Sequence, residues 1–330
     1  MVEDVLKVYE EDVDLNKPLM VMFEDEIGVD QGGVTKELFS LFWELVMAMF
    51  FRGRERFIPY ISTAKRHTAR TTFPVLGKIM AHMWVLLGFF PLQLAKSCVL
   101  AMSDPDLDIP SDILLEDYLS FIPEAEAILL QRCLQSSSWT ESDKRRLIRF
   151  FELNQMTVMP SPDNVKEYLL NIAQTHLLDS CQTFVQLMKK GFISETSKVL
   201  LQSLNSGNVH RFYEQYGASP ESVGQLVDDF YDGIDLRPLE AVVINHVSNA
   251  VREMNQRQVL RFLRWLTGTS AMPRKLDFSF NANSGITRAP VSHTCGNLLE
   301  ISTQYETYED FKREFYLVID SEEAFEFTLI

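Results

Sequence analysis

Cys295 stands in the stretch "VSHTCGNLLEIS", residues 291–302, with His293 two positions before it, Thr294 and Gly296 on either side, and Asn297 two positions after. A cysteine in a protein is usually a small buried hydrophobe, a metal ligand or a nucleophile. The four cysteines, at 98, 133, 181 and 295, are too far apart for a CxxC pair or a zinc knuckle. Hydrolytic cysteine chemistry needs a histidine base and an Asn or Asp to orient it. Histidines stand at 67, 82, 176, 210, 246 and 293, and none lies in a recognisable protease signature, so a cysteine hydrolase is unsupported. On a strand, His293 and Cys295 would share one face about 7 Å apart, which modestly favours thiolate without making a triad. Residue types alone therefore leave Cys295 open between a structural and a reactive role. Cys98, Cys133 and Cys181 lie inside apolar helical patterns and read as inert core residues.

The elements that position this motif belong to a chain of 330 residues, 46% hydrophobic, long enough for two domains and a large core. Its 23 Phe, 10 Tyr and 4 Trp are far too many for a disordered chain. A net charge of −15 argues against nucleic acid or an anionic membrane as partner, since both need a positive surface. The charge is uneven: ten basic against twelve acidic residues from Arg237 onward leave −13 of the −15 on residues 1–236. The acidic start "MVEDVLKVYEEDVDL" lacks the pattern of a signal peptide. The most apolar window, 83–102, carries Pro91, Gln93 and Lys96, and core packing suits it better than a membrane span. Sparse cysteines add to the expectation of a cytoplasmic or nuclear protein.

Helical patterns dominate residues 1–232. "GVDQGGVTKELFSLFWELVMAMF" reads as a tight glycine turn, a Thr35 N-cap and a helix with Leu38, Leu41, Phe42, Leu45, Val46 and Met49 on one stripe. The glycines lack phosphate-loop spacing, and the acidic residues before them would repel phosphate. Two segments broken at Gly88 and Pro91, helices over 123–134 and 142–153, and a helical stretch from Ser161 or Asp163 to a stop at Gly191 follow. "YDGIDLRP", 231–238, separates the acidic part from the nearly neutral part and reads as a domain boundary. Beyond it come helices over 239–254 and 257–266, strands over 276–282 and 293–302, and a last helix opened by Thr307 and Asp310. Arg257, Arg261 and Arg264 share a helix face, as solvated or ion-paired residues commonly do.

"PVSHTCGNLLEI" resembles the active-site strand of HECT-type ubiquitin ligases, Pro-x-x-His-Thr-Cys-x-Asn-x-Leu, matching at Pro290, His293, Thr294, Cys295, Asn297 and Leu299. Other motifs agree in order. "FEDEIGVDQGGVTKELFSLF" is similar to the family's opening Phe-Glu-x-Glu-x-Gly-x-Asp-x-Gly-Gly segment, "VMPSPDNVKEYLLN" and "KKGF" to the part that holds the conjugating enzyme, and "RQVLRFLRWLTGTSAMP" to the Leu-x-Phe-x-Thr-Gly-Thr run of the second lobe. Gly296 in place of Phe, Ser302 in place of Pro, and a missing acidic hairpin near 153–160 mark a divergent member.

The resemblance implies an α+β, mainly helical, bilobal fold: a large helical N-lobe at 1–232 with the conjugating-enzyme site at roughly 154–205, a hinge at 233–236 around Gly233, and a small α/β C-lobe at 237–330. It implies transthiolation. The Cys295 thiolate would take ubiquitin from a ubiquitin-conjugating enzyme as a thioester and pass it to a lysine of a protein substrate, with no metal or cofactor. His293, Thr294 and Asn297 would support Cys295, the latter two by bonding the oxyanion or by holding the loop. Phe327 by its count from the terminus, or Phe325 by local pattern, would dock across the lobes or merely cover the core. The alternative is a catalytically weak HECT-like module that binds conjugating enzymes or ubiquitin. A substrate-recruiting segment is expected before such a lobe pair, in a longer protein, or else substrates are recruited differently.

Overall fold

A computed structural model describes residues 1–22, 33–232 and 234–321. The expected hinge residue Gly233 and the tail residues Phe325 and Phe327 lie outside them. The chain packs as two compact units, one of Met1–Asn16 with Glu44–Tyr213 and one of Lys17–Trp43 with Glu214–Ile330. The fold is mainly helical with two small sheets, as the mainly helical α+β reading expects.

The first unit holds α1 (Val2–Glu10), the end of α2 (Gly33–Phe50), a hairpin of β1 (Phe51–Gly53) and β2 (Phe57–Pro59), and then α3 (Ala69–Leu87), α4 (Lys96–Ser103), α5 (Ser111–Phe121), α6 (Glu124–Gln135), α7 (Glu141–Leu153), α8 (Val165–Gln174), α9 (Gln182–Gly191) and α10 (Glu195–Ser203). Its tightest packing is α3 on α9. Gly77 and Gly191 let the backbones touch: a methyl on Gly77 would lie 2.0 Å from the Met188 carbonyl oxygen, and one on Gly191 1.8 Å from that of Pro74. Gly191 therefore ends its helix in close contact rather than as a left-handed cap, and the stretch leading to it is split by a π turn at Thr175–Asp179. Gly88 is the left-handed cap of α3, φ 67°. Lys96, awkward for a membrane span, is buried here and paired with Glu116 at 2.5 Å and His210 at 2.9 Å. No helix among the described residues is long and apolar enough to cross a membrane.

The stripe expected on α2 is rotated. Phe39, Phe42, Trp43, Val46 and Met47 are buried while Leu45 and Met49 are exposed, and Thr35 lies buried inside the helix rather than at its cap. A helix apolar on most sides offers several stripes of the same period, and packing chooses among them.

The second unit adds α11 (Val209–Tyr216) at its border, α12 (Pro220–Asp232), α13 (Pro238–Arg252), α14 (Gln256–Thr267) and α15 (Tyr308–Asp320) around a three-stranded sheet. Its strands are β3 (Asp277–Asn281), β4 (Val291–His293) and β5 (Leu298–Ser302), with β5 central, parallel to β3 and antiparallel to β4. α14 is capped reciprocally by Asn255 and Gln258 and ends at Gly268 in the left-handed region, φ 75°. Its buried Val259, Phe262, Leu263 and Leu266 meet Leu299, Ile301, Phe311 and Phe315 in one apolar core, so the sheet's inner face and two helices fix where the β4–β5 connection emerges.

Candidate active site

The single strand expected over 293–302 is two strands with a turn between them. His293 closes β4, Thr294–Gly296 form one 3₁₀ turn, and Asn297 sits in the left-handed region, φ 49°, before β5 begins. Asparagine tolerates that conformation better than most residues. The consequence is that Cys295 does not lie on a strand face with His293. Its side chain is exposed at the tip of the turn, while His293 Nε2 faces Glu300 Oε2 at 3.4 Å across the β4–β5 pair. Bonds from Asn281 and His293 hold the Glu300 carboxyl below its ordinary range.

Asn297 holds the turn from three sides. Its backbone oxygen accepts from Asp277 N at 3.0 Å, its side-chain nitrogen donates to the Lys275 carbonyl at 3.4 Å, and its Oδ1 accepts from Lys36 Nζ at 3.3 Å. These three bonds tie the turn to the start of β3 and to α2. Gly296 is not forced by space, since a methyl there would meet only Leu298 Cβ at 3.6 Å. Ser302 is buried and its hydroxyl donates to the Asn283 carbonyl at 2.5 Å, a bond that proline at this position would lack.

The start of α2 closes the other side, within the same unit. A methyl on Gly33 would lie 3.2 Å from Cys295 Sγ and 3.2 Å from Thr294 Oγ1. Ser40 Oγ donates to the Gly268 carbonyl at 3.2 Å. Sequence reading assigned Gly33 and Lys36 to an ordinary turn and core helix and did not bring them to the cysteine. Gly33 is the second of a glycine pair, the one local feature that suits close approach.

The other three cysteines are buried. Cys98 and Cys181 place their sulfurs 3.8 Å apart, and that contact together with burial pushes the Cys98 thiol well above its usual range. Burial raises the Cys133 thiol too. A protonated, enclosed thiol is a poor nucleophile, so exposure separates Cys295 from the rest. No cluster of three or more His, Cys, Asp or Glu able to hold a metal ion occurs among the described residues.

This arrangement, a bonded turn presenting one exposed thiol beside a small sheet, coincides with a family match. The HECT-domain (ubiquitin-transferase) model aligns with residues 33–328, and the chain belongs to that family. Curated relatives are distant. The probable E3 ubiquitin-protein ligase TOM1 of Eremothecium gossypii is 25% identical over 94% of this chain and 10% of its own length. The E3 ubiquitin-protein ligase RSP5 of Chaetomium thermophilum is 22% identical over 94% of this chain and 40% of its own. The mouse E3 ubiquitin-protein ligase HUWE1 is 21% identical over 93% of this chain and 7% of its own. The chain thus spans less than half the length of each of these relatives.

Proposed function

We propose that this protein is a ubiquitin transferase that carries ubiquitin as a thioester on Cys295. The observation that carries the reading is the contrast among four cysteines, three buried and one exposed on a hydrogen-bonded turn, in a chain of the HECT family. In the first step the Cys295 thiolate attacks the carbonyl carbon of the ubiquitin thioester, and the conjugating enzyme's sulfur leaves as thiolate. In the second, a substrate lysine amine attacks the new thioester and Cys295 leaves. The residues beside it serve the turn: Asn297 anchors it, and His293 is tied to Glu300 rather than acting as a base.

The first unit supports a docking role for the conjugating enzyme. Leu153, Met159, Ile193 and Val199 are exposed in or next to residues 154–205, the stretch whose sequence resembles that site in the family. Exposed apolar side chains can serve a partner surface, and the resemblance of this stretch is what points to the conjugating enzyme. Reaction with activating enzyme, ubiquitin and a panel of conjugating enzymes, followed on non-reducing gels, tests the reading. A ubiquitin adduct removed by thiol reductant supports it. Absence of any adduct across the panel, with conjugating enzymes still bound, favours a binding module without transfer.

A further inference from the structure

Lys36 is the one residue from the first half of the sequence that touches the cysteine turn through a charged group among the bonds described for that turn. It lies in the first turns of α2, and its Nζ donates to Asn297 Oδ1 at 3.3 Å, 261 positions away in the sequence. The same helix brings Gly33 against Cys295 Sγ and Thr294 Oγ1, and Ser40 ties it to the Gly268 carbonyl at the end of α14. Three contacts along one helix face therefore seat Lys36 beside the turn.

We infer that Lys36 is a positioning residue for Cys295: its ammonium clamps Asn297, which shapes the turn, and sets a positive charge beside the reacting sulfur. The inference rests on the reading of Cys295 as the ubiquitin acceptor. A cation near a thiol favours the thiolate, the form that attacks. Burial lowers the Lys36 ammonium from its ordinary range, and the charge of Cys295 pulls it back up. Lys36 is only partly buried and Cys295 is exposed, so the pair stays open to screening by salt.

Other charged groups near the turn, among the described residues, are engaged or carry mixed sign. His293 and Glu300 face each other across β4 and β5, and Lys275 pairs with Asp277 at 2.8 Å at the head of β3. On α14, which packs against the turn, Arg261 is bonded to the carbonyl oxygens of Ile319 and Ser321, while Arg257 and Arg264 complete its basic face. Glu37 lies next to Lys36 on α2.

The test is the pH profile of Cys295 alkylation by iodoacetamide in the whole protein, read by peptide mass spectrometry with the buried cysteines as internal reference. Lys36→Met is expected to move the midpoint up by about half to one unit and to slow alkylation about 3- to 10-fold near neutral pH. Lys36→Arg is expected to restore most of the rate. In the unmodified protein, raising salt from about 0.05 M to about 1 M should slow alkylation by screening the cation, a readout that stands even if Lys36→Met does not fold. Coincident profiles for Lys36→Met and wild type, an arginine variant as slow as the methionine one, or a salt-independent rate in wild type would each overturn the inference. Alkylation needs no ubiquitin. If the profile moves but no conjugating enzyme charges the protein, the transferase reading fails while the Lys36–Cys295 coupling stands.

Discussion

Replacing Gly77 or Gly191 with alanine probes the α3–α9 crossing on which the first unit is built. A methyl carbon would sit 2.0 Å or 1.8 Å from a carbonyl oxygen of the facing helix, where unstrained contacts run about 3.5–4.0 Å. The obstacle is backbone, so no rotamer change relieves it and the helices must part by more than about 1 Å, loosening contacts along the whole seam. The Phe73–Phe184 stack, with ring centroids 4.8 Å apart, lies on that seam. Overpacking of this kind costs about 1–3 kcal/mol, or more when backbone must move. The better helix propensity of alanine offsets about 1 kcal/mol of it. Because the obstacle is backbone, the cost falls at or above the top of that range, and we expect a net loss of about 2 kcal/mol or more for either variant. For a unit of this size that lowers the denaturation midpoint by about 2–4 °C per kcal/mol. Gly88→Ala is the comparison: nothing lies within 4 Å, and only its left-handed φ of 67° opposes a side chain, a cost of about 1–2 kcal/mol. Thermal denaturation followed by circular dichroism ranks the three. If Gly77→Ala and Gly191→Ala melt at or above Gly88→Ala, the close crossing is not what holds these helices together.

Three further predictions follow from the second unit. Gly33→Ala should leave the melting temperature nearly unchanged yet slow alkylation and charging of Cys295, because its methyl would press on Sγ and on Thr294 Oγ1 at 3.2 Å each; equal rates for variant and wild type would refute it. Phe315→Ala, which empties a fully buried site stacked on Phe311 and edge-on to Phe262, should cost about 3–5 kcal/mol in denaturant titration. The bond from Arg288 holds the Glu314 carboxyl below its ordinary range. A depressed carboxylate contributes stability that is present above its unfolded pKa and lost as pH falls through the folded one. Glu314→Gln should therefore lower stability at neutral pH and flatten the acid limb below about pH 4, as read from melting temperature against pH.

What was legible in the sequence was local. The cysteine motif is a short run of residue types, and the helix expected over 257–266 is present as α14, although its reciprocal cap at Asn255 and Gln258 and its left-handed stop at Gly268 were not singled out in the sequence. The turn at Thr294–Gly296 was not legible, because alternation around it suits a strand and only the left-handed Asn297 breaks the run. Lys36 and Gly33 were invisible for another reason: their partners lie more than 250 positions away, and no periodicity encodes a contact of that range. Gly191 was read as a helix stop for the right position and the wrong cause. Its freedom is spent on backbone contact with Pro74, which only the packed pair reveals.

The most direct measurement at Cys295 is the chemical identity of the bond that ubiquitin forms with the protein. Cys295→Ser should turn a ubiquitin adduct that thiol reductant removes into an oxyester that resists reductant and yields to hydroxide, since serine oxygen then replaces sulfur in the same acyl bond. Cys98→Ser, Cys133→Ser and Cys181→Ser should each retain the reductant-sensitive adduct, as those side chains are buried. A reductant-sensitive adduct that persists in Cys295→Ser, or that is lost on changing one of the buried cysteines in a folded protein, would contradict transfer through Cys295.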